Sequence, residues 1–549
     1  MSTENHKNSP HPGSTRRTSV SRRAALAGGL AGAIGLATAS PTFGQGRGVG
    51  PRKPGTPPRG MDRETLLRWA EDTWHSLVEM TPKATGLPAD NITGDLSTRS
   101  GYTSPTNIGG YLWSAVVARE LGIITPREAQ RRISRTLRTL SRMKHHRPSG
   151  MYANWYDEAT GRMLRIFPGS GDPIAPFISS VDNGWLGAAL WVVKNTVPEA
   201  SEMAGKLFDR MRWDAFYNPS TALNPVEGHP EVRPGGLMHG GFFLDDHDRP
   251  GGVYLGSHID APDVWLTTHH YDTIVSESRI ASYLGIMTGQ VPPEHYFAAW
   301  RTFPATCNWD WHEMQPVGET RTYLGIDVYE GAYTYRGMRI VPGWGGSMFE
   351  ELMPNVFVPE EVWGPRSWGE NHPLHVRAQI EHGLEDAGYG YWGFSPASDP
   401  FANYREYGVD LLGMNPDGYL SDHPGTNPDL GFGECRPATN PDPEYGDGVV
   451  TPHAAFLAMM YDPAAAYDNL SRIEDQLGAY GAGGFYDAVA VGSNTQAQRY
   501  LSLDQAMIMG SLGNVLANDV LQRAFSTREV EAALRPVISM EEFGAGSDA

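Results

Sequence analysis

Residues 271–287 read Tyr271-Asp272-Thr273-Ile274-Val275-Ser276-Glu277-Ser278-Arg279-Ile280-Ala281-Ser282-Tyr283-Leu284-Gly285-Ile286-Met287. Ile280, Ala281 and Leu284 follow Glu277 at three, four and seven places, positions that share one face of a helix. The spacing predicts a helix over 272–288 with Glu277 turned towards the core. A carboxylate buried alone is costly, so this one needs a partner or a cavity. Two readings are open: an acid paired with a buried arginine or capping a neighbouring helix, or a reactive acid at the mouth of a helical barrel.

Outward from this stretch, helical signals recur. A helix is expected from Asp62 to about Met80, with Leu66, Leu67, Ala70, Trp74 and Leu77 inside. Thr106 is read as the cap of a second helix and Pro126 as the first turn of a third, ending near Met143. Asp182 is read as opening a fourth through Trp191. More helices are expected near 197–212, 372–387, 451–460, 463–477 and 503–524, with short β segments at 240–256 and 321–342. No repeat of the solenoid kind is present. The fold expected is all-α, a toroid of paired helices with its long loops gathered at one end, in a single domain over 61–549.

The chain of 549 residues is 40% apolar and 19% charged, an ordinary globular composition. Its net charge of −19 argues against a nucleic-acid partner. No apolar run long enough to span a membrane lies beyond the N-terminus. Residues 1–39 read as an export leader. Ser21-Arg22-Arg23-Ala24-Ala25-Leu26 resembles the twin-arginine motif, a weakly apolar segment follows, and Ala37-Thr38-Ala39 offers a cleavage site. The expected destination is extracellular or cell-wall associated. Residues 40–60 form a Pro/Gly-rich lead-in. Cys307 and Cys435 are too few for a disulfide framework, and no zinc motif occurs. Asp245-Asp246-His247-Asp248 lacks the register of a calcium loop. No metal or cofactor is expected.

Other acids repeat the pattern of Glu277. Asp182 shares a face with Trp185, Leu186, Ala189 and Leu190, although aspartate also suits an N-cap. Glu350 lies in Gly345-Gly346-Ser347-Met348-Phe349-Glu350-Glu351-Leu352-Met353-Pro354, at a Gly-to-helix junction where an acid also suits the helix dipole. Tyr391-Trp392-Gly393-Phe394-Ser395-Pro396-Ala397-Ser398-Asp399-Pro400, continuing through Tyr404 to Asp410, interleaves aromatics with acids. Such loops hold sugars by stacking and carboxylate hydrogen bonds, or are simply rigid. His269-His270 beside Tyr271 could be ligands or cleft-lining polar groups. Paired carboxylates on a rigid scaffold are what glycoside hydrolysis needs.

Six strings in order carry a resemblance. Ser104-Pro105-Thr106-Asn107-Ile108-Gly109, Asn154-Trp155-Tyr156-Asp157, Ser179-Ser180-Val181-Asp182-Asn183-Gly184-Trp185-Leu186, Ser276-Glu277-Ser278-Arg279, Gly345 to Pro354 and Gly484-Phe485-Tyr486-Asp487 are similar to motifs of the glucoamylase-like family. That family includes the endo-β-1,2-glucanases of glycoside hydrolase family 144 and the transglycosylating domain of cyclic β-1,2-glucan synthases. The resemblance implies an (α/α)6 barrel and a glycan-active, monomeric enzyme whose partner is an oligosaccharide or polysaccharide. It implies a catalytic Glu277, as general acid with its pKa raised by the apolar stripe, and an essential Asp182. Asp399 or Asp182 would activate water. Asn107, Trp155, Tyr156, Asp157, Trp185, His270, Trp344, Glu350, Trp392, Tyr404, Tyr486 and Asp487 are the residues expected to bind substrate. The chain departs from the synthase domains at Ser395-Pro396, where they carry Ser-Glu. Hydrolysis with inversion is therefore expected over glycosyl transfer. The alternatives are a non-catalytic or transglycosylating glycan-binding relative and a polysaccharide lyase using Tyr271 or His270.

Overall fold

The computed structural model describes residues 61–219, 234–244, 252–253, 264–267, 269–303, 314–401, 404–414 and 445–547. The leader, the lead-in, residues 245–248, Cys307 and Cys435 lie outside them.

Helix α1 (Arg63–Glu79) starts where expected, because Asp62 accepts hydrogen bonds from the Glu64 and Thr65 N–H groups. Then come α2 (Pro105–Glu120), α3 (Pro126–Leu140), α4 (Ser180–Thr196), α5 (Pro198–Phe208), α6 (Arg279–Met287) and the short α7 (His295–Ala298). Helices α8 (Met348–Leu352), α9 (Glu360–Trp363), α10 (Trp368–Glu381), α11 (Pro452–Ala458), α12 (Pro463–Leu477), α13 (Ser502–Leu516), α14 (Val520–Phe525) and α15 (Arg528–Ile538) complete the series.

Burial sorts these helices into two layers. Every residue of α13 is buried, and α2 and α4 are buried almost throughout, as helices enclosed on all sides must be. Helix α3 shows the other pattern: Ala129, Ile133, Leu137 and Leu140 face inwards and its arginines outwards. Helices α13, α2, α4 and α6 pack side by side, and α11 joins α13 to α8. The gap between α6 and α8 is bridged by Arg279, which donates to the Glu350 carbonyl at 2.6 Å. Outside them α1 covers α13, α3 covers α2, α5 covers α4, α15 covers α6, α10 covers α8 and α12 covers α11. The architecture is a helical toroid. The closest approach, α2 to α4, depends on Gly109: a Cβ there would lie 2.8 Å from the Trp185 carbonyl oxygen.

The β segments flank this toroid. An antiparallel sheet joins Val317–Tyr323, Ile326–Tyr335, Met338–Ile340 and the C-terminal Gly546–Ser547. Phe177–Ser179, Gly241–Phe243, Trp265–Thr267 and Gly252–Val253 form another, just before α4. No helix among the described residues is long and apolar enough to cross a membrane.

Three local expectations need correction. The helix expected over 272–288 begins only at Arg279. Thr273 bridges Trp300, and Ile274 donates to the Trp300 carbonyl, so the chain is extended before it turns at Ser276–Ser278. Ser104, not Thr106, caps α2 through the Asn107 N–H, and the prolines at 105 and 126 both take first-turn positions. Ser179 caps α4 and leaves the Asp182 carboxylate free of capping duty.

Candidate active site

The first turns of the inner helices meet at one end of the toroid, and hydrogen bonds link them. Thr106 of α2 donates its hydroxyl to Asp182 of α4 at 2.5 Å. One turn along α4, the indole N–H of Trp185 donates to Glu277 Oε2 at 2.7 Å. The backbone N–H of Glu277 donates to Glu350 Oε2 of α8 at 2.5 Å. Negative side chains in first turns are favoured by the helix dipole and the unpaired N–H groups there.

Glu277 and Glu350 are therefore neighbours, both buried with a small exposed edge. Burial first, and the charge of Glu277 second, push Glu350 up to about 8. The sequence reading places a raised pKa on Glu277 and attributes it to an apolar stripe. The structure instead gives Glu277 polar neighbours, and the apolar residues Ile280 and Ala281 pack beyond it against Gly184 of α4. Glu350 thus keeps its proton near neutral pH.

Glu350 is placed by two devices. Gly345 and Gly346 lie at φ 68° and 59°, a left-handed turn that admits α8 beside the loop at 408–410. A Cβ on Gly346 would meet the Val409 carbonyl at 2.0 Å, so only glycine fits. Behind the helix lies a buried charge network. Arg279 donates to Glu360 at 2.7 and 2.9 Å, to the Ser276 and Glu350 carbonyls at 3.0 and 2.6 Å, and to the Glu351 carbonyl. Its guanidinium lies over Trp368. His372 closes the network, 2.6 Å from Glu351 and 3.3 Å from Glu360. Burial alone would raise Glu360, but Arg279 and His372 overcome it and hold the carboxyl at about 2. Burial alone would lower His372, but Glu351 and Glu360 hold it at about 9.

Asp182 lines a cleft with Asp90, Ser104, Thr106, Asn154, Trp155 and Leu503. Trp155 is half-buried there, as expected for a sugar-facing ring. Asn107 holds Asp90 through a 2.9 Å bond and so supports the cleft wall from behind. Trp185 is fully buried and acts on Glu277 rather than on a ligand. His270 lies 3.0 Å from Asn218 and is half-buried. Trp344 and Tyr404 are half-buried, and the Trp344 N–H donates to Val275 beside the Glu277 turn.

Other expected site residues are engaged in contacts with the scaffold. Asp399 is saturated by Arg405 at 2.6 Å, the Tyr407 hydroxyl at 2.9 Å and the Phe401 N–H at 2.6 Å, which removes the freedom a base needs. Tyr156 is fully buried, donating to the Lys144 carbonyl and accepting from the Ala153 N–H. Asp157 caps a turn at Thr160. Trp392 is buried and clamped by Asn469 through both backbone groups. Tyr486 packs on Tyr500, near the hairpin at 480–485.

Asp487 accepts from the Ser398 N–H at 2.6 Å and gathers with two residues that the sequence did not single out. Among the described residues, His453, Asp487 and Asp504 offer ligand-type atoms within 4.8 Å of one another, all buried. His453 opens α11 and Asp504 lies in the first turn of α13, where the dipole offsets an anion and disfavours a cation. No local motif announces either residue. The three converge only because α11 and α13 are adjacent in the ring.

Comparisons with known proteins agree with this architecture. Residues 269–529 match the model of a family described as "Putative glucoamylase". Residues 68–220 match one described as a protein of unknown function, DUF3131. The cyclic β-(1,2)-glucan synthase NdvB of Rhizobium meliloti is 28% identical over 278 residues, 48% of this chain. The match spans only 8% of that protein's length. An endo-β-1,2-glucanase from Chitinophaga pinensis, solved with sophorotriose and glucose, superposes with a TM-score of 0.56 at 15% identity, over 87% of this chain and 98% of its own. A β-1,2-glucanase from Parabacteroides distasonis gives 0.60 at 16% identity, over 88% of this chain and 60% of its own. The resemblance carried by six short strings is thus met independently by a family model, a sequence relative and solved folds: the chain is a relative of the glucoamylase-like family.

Proposed function

We propose that this chain is an exported glycoside hydrolase acting on a β-glucan, with linear β-1,2-glucan the first substrate to test. The single observation that carries the reading is the buried Glu277–Glu350 pair at the helix ends, where Glu350 keeps its proton up to about pH 8. In the proposed reaction that proton passes to the glycosidic oxygen as the bond to the anomeric carbon breaks. Water adds to the anomeric carbon and gives its proton to Asp182, whose carboxylate lines the cleft beside the pair. One water is consumed, and a new reducing end is formed with inversion. The six inner–outer helix pairs support reading the toroid as an (α/α)6 barrel.

The relatives support the substrate class: two structural neighbours are β-1,2-glucanases and the sequence relative is a cyclic β-1,2-glucan synthase. That relative also motivates a second reading, sugar transfer between glucan chains. Digestion of linear β-1,2-glucan with anomeric NMR of the products separates them. Hydrolysis predicts shorter reducing products and rising reducing ends. Transfer predicts longer or cyclic products at constant reducing ends. Glu350→Gln, which removes that proton, is expected to abolish product release, and near-full activity in that variant would refute the assignment.

A further inference from the structure

Trp155 belongs to a set of three rings that brace each other at the cleft. Tyr102 meets it edge-on at 5.2 Å, Phe167 lies at 5.4 Å, and Tyr102 and Phe167 touch at 5.1 Å. Such edge-to-face contacts hold the rings against one another. The loop that carries them is stitched by backbone bonds. Leu164 donates to the Trp155 carbonyl at 3.0 Å, Ile174 to Arg165 at 2.8 Å and Phe167 to Asp172 at 2.8 Å. All three rings are half-buried, and Ile166 beside them is 60% exposed. A braced but uncovered aromatic surface costs little ordering entropy when it binds.

Beside this surface sits a polar atom in need of a donor. Asn154 Oδ1 is buried, and no donor reaches it among the described residues. A buried acceptor of this kind calls for a ligand or water. Asn154 lines the same cleft as Trp155, Asp182 and Thr106. Asp182 and Trp185 are one turn apart on α4, about 5 Å along the axis. The cleft is therefore the immediate neighbour of the Glu277–Glu350 pair.

The geometry points to a sugar subsite in which Trp155, braced edge-on by Tyr102 and Phe167, meets the apolar face of one pyranose ring, while Asn154 Oδ1 accepts a hydrogen bond from a ring hydroxyl. This rests on the glucan reading above. It makes the loop at 155–174 the element that grips the ring next to the cleaved bond. The grip is a binding interaction separate from proton transfer, so its loss falls on KM and Kd.

The test uses the full chain with Trp155→Ala, Trp155→Phe and Phe167→Ala, linear β-1,2-glucan oligosaccharides, calorimetric Kd and steady-state kinetics. Thermal melts establish that each variant is folded. Trp155→Ala is expected to raise Kd and KM about tenfold or more with kcat within threefold. Phe167→Ala should give an intermediate loss, and Trp155→Phe should recover most of the affinity. Unchanged KM and Kd in Trp155→Ala, or a Trp155→Phe no better than Trp155→Ala, would overturn the subsite while leaving hydrolysis standing. A chain that binds glucan through Trp155 without cleaving it supports the subsite and overturns hydrolysis. A wild-type chain that binds no glucan overturns both.

Discussion

Arg279→Met removes a guanidinium that makes five hydrogen bonds, two to Glu360 and three to main-chain carbonyls. Methionine roughly fills the stem and still packs against Trp368, so the cavity left behind is small. The cost is electrostatic. Glu360 and its partners are fully buried, and breaking a buried ion pair from one side costs about 3–5 kcal/mol because the remaining charge is uncompensated. Each carbonyl left without a donor adds about 1–3 kcal/mol if no water enters. His372 still faces Glu360 at 3.3 Å, which offsets part of the loss. The expected net destabilisation is about 3–5 kcal/mol, read by urea denaturation followed by circular dichroism. Adding Glu360→Gln removes the orphaned charge, so the double variant should recover at least ~1 kcal/mol relative to additivity. Because the Glu350 and Glu351 carbonyls are released, kcat should fall with it. A loss under about 1 kcal/mol with unchanged kcat would show that α8 is held by other contacts and refute the positioning role.

Further predictions follow from the same geometry. Folded Glu350 and Glu330 keep their protons to about pH 8, whereas an ordinary glutamate ionises near 4.5; burial is the main cause in both, with Glu277 reinforcing it in the first and Glu541 in the second. The folded state thus binds protons that the unfolded chain releases, so this stability is full below about pH 4.5 and lost as pH rises through 8. His372, held at about 9 against 6.5, adds a loss of the same sign between those values. Melting temperature should therefore fall steadily from pH 6 to 9.5, with a shallower fall in Glu350→Gln; a flat profile would contradict the buried protonated pair. Asp399→Asn should cost roughly 1–3 kcal/mol of stability and keep measurable turnover, while Asp182→Asn should abolish turnover with little effect on the melt. The reverse outcome in a reducing-sugar assay would exchange their roles. Tyr156→Phe leaves the Lys144 carbonyl without its donor and should cost about 1–3 kcal/mol in denaturation without moving kcat.

The helical periodicity in the sequence is strong enough to place most helices, since apolar spacing and caps such as Asp62 are local signals. The sequence places the starts of α2 and α4 at Thr106 and Asp182, two and three residues after the caps Ser104 and Ser179, because the Ser104-Pro105 and Ser179-Ser180 starts compete with these more conspicuous residues. Glu277, Asp182 and Glu350 stand out as candidates because their carboxylates share a face with an apolar stripe or sit at a Gly-to-helix junction, and Trp155 only through the resemblance carried by Asn154-Trp155-Tyr156-Asp157. That Glu350 keeps its proton to about pH 8 was not legible. That depends on Glu277 and Glu350 being neighbours across a gap of 73 residues, a contact no spacing rule encodes. The partners of Asp399 and Tyr156 were hidden for the same reason: only the folded chain brings Arg405 and Tyr407 onto one and the Lys144 and Ala153 backbone onto the other. His453 and Asp504 stayed invisible because their meeting depends on two helices packing side by side. The sequence by itself determined where helices form and which residues could do chemistry, since both follow from local periodicity and side-chain type. Only the tertiary structure decided which of them touch, and burial and mutual charge, which set their protonation, exist only once they do.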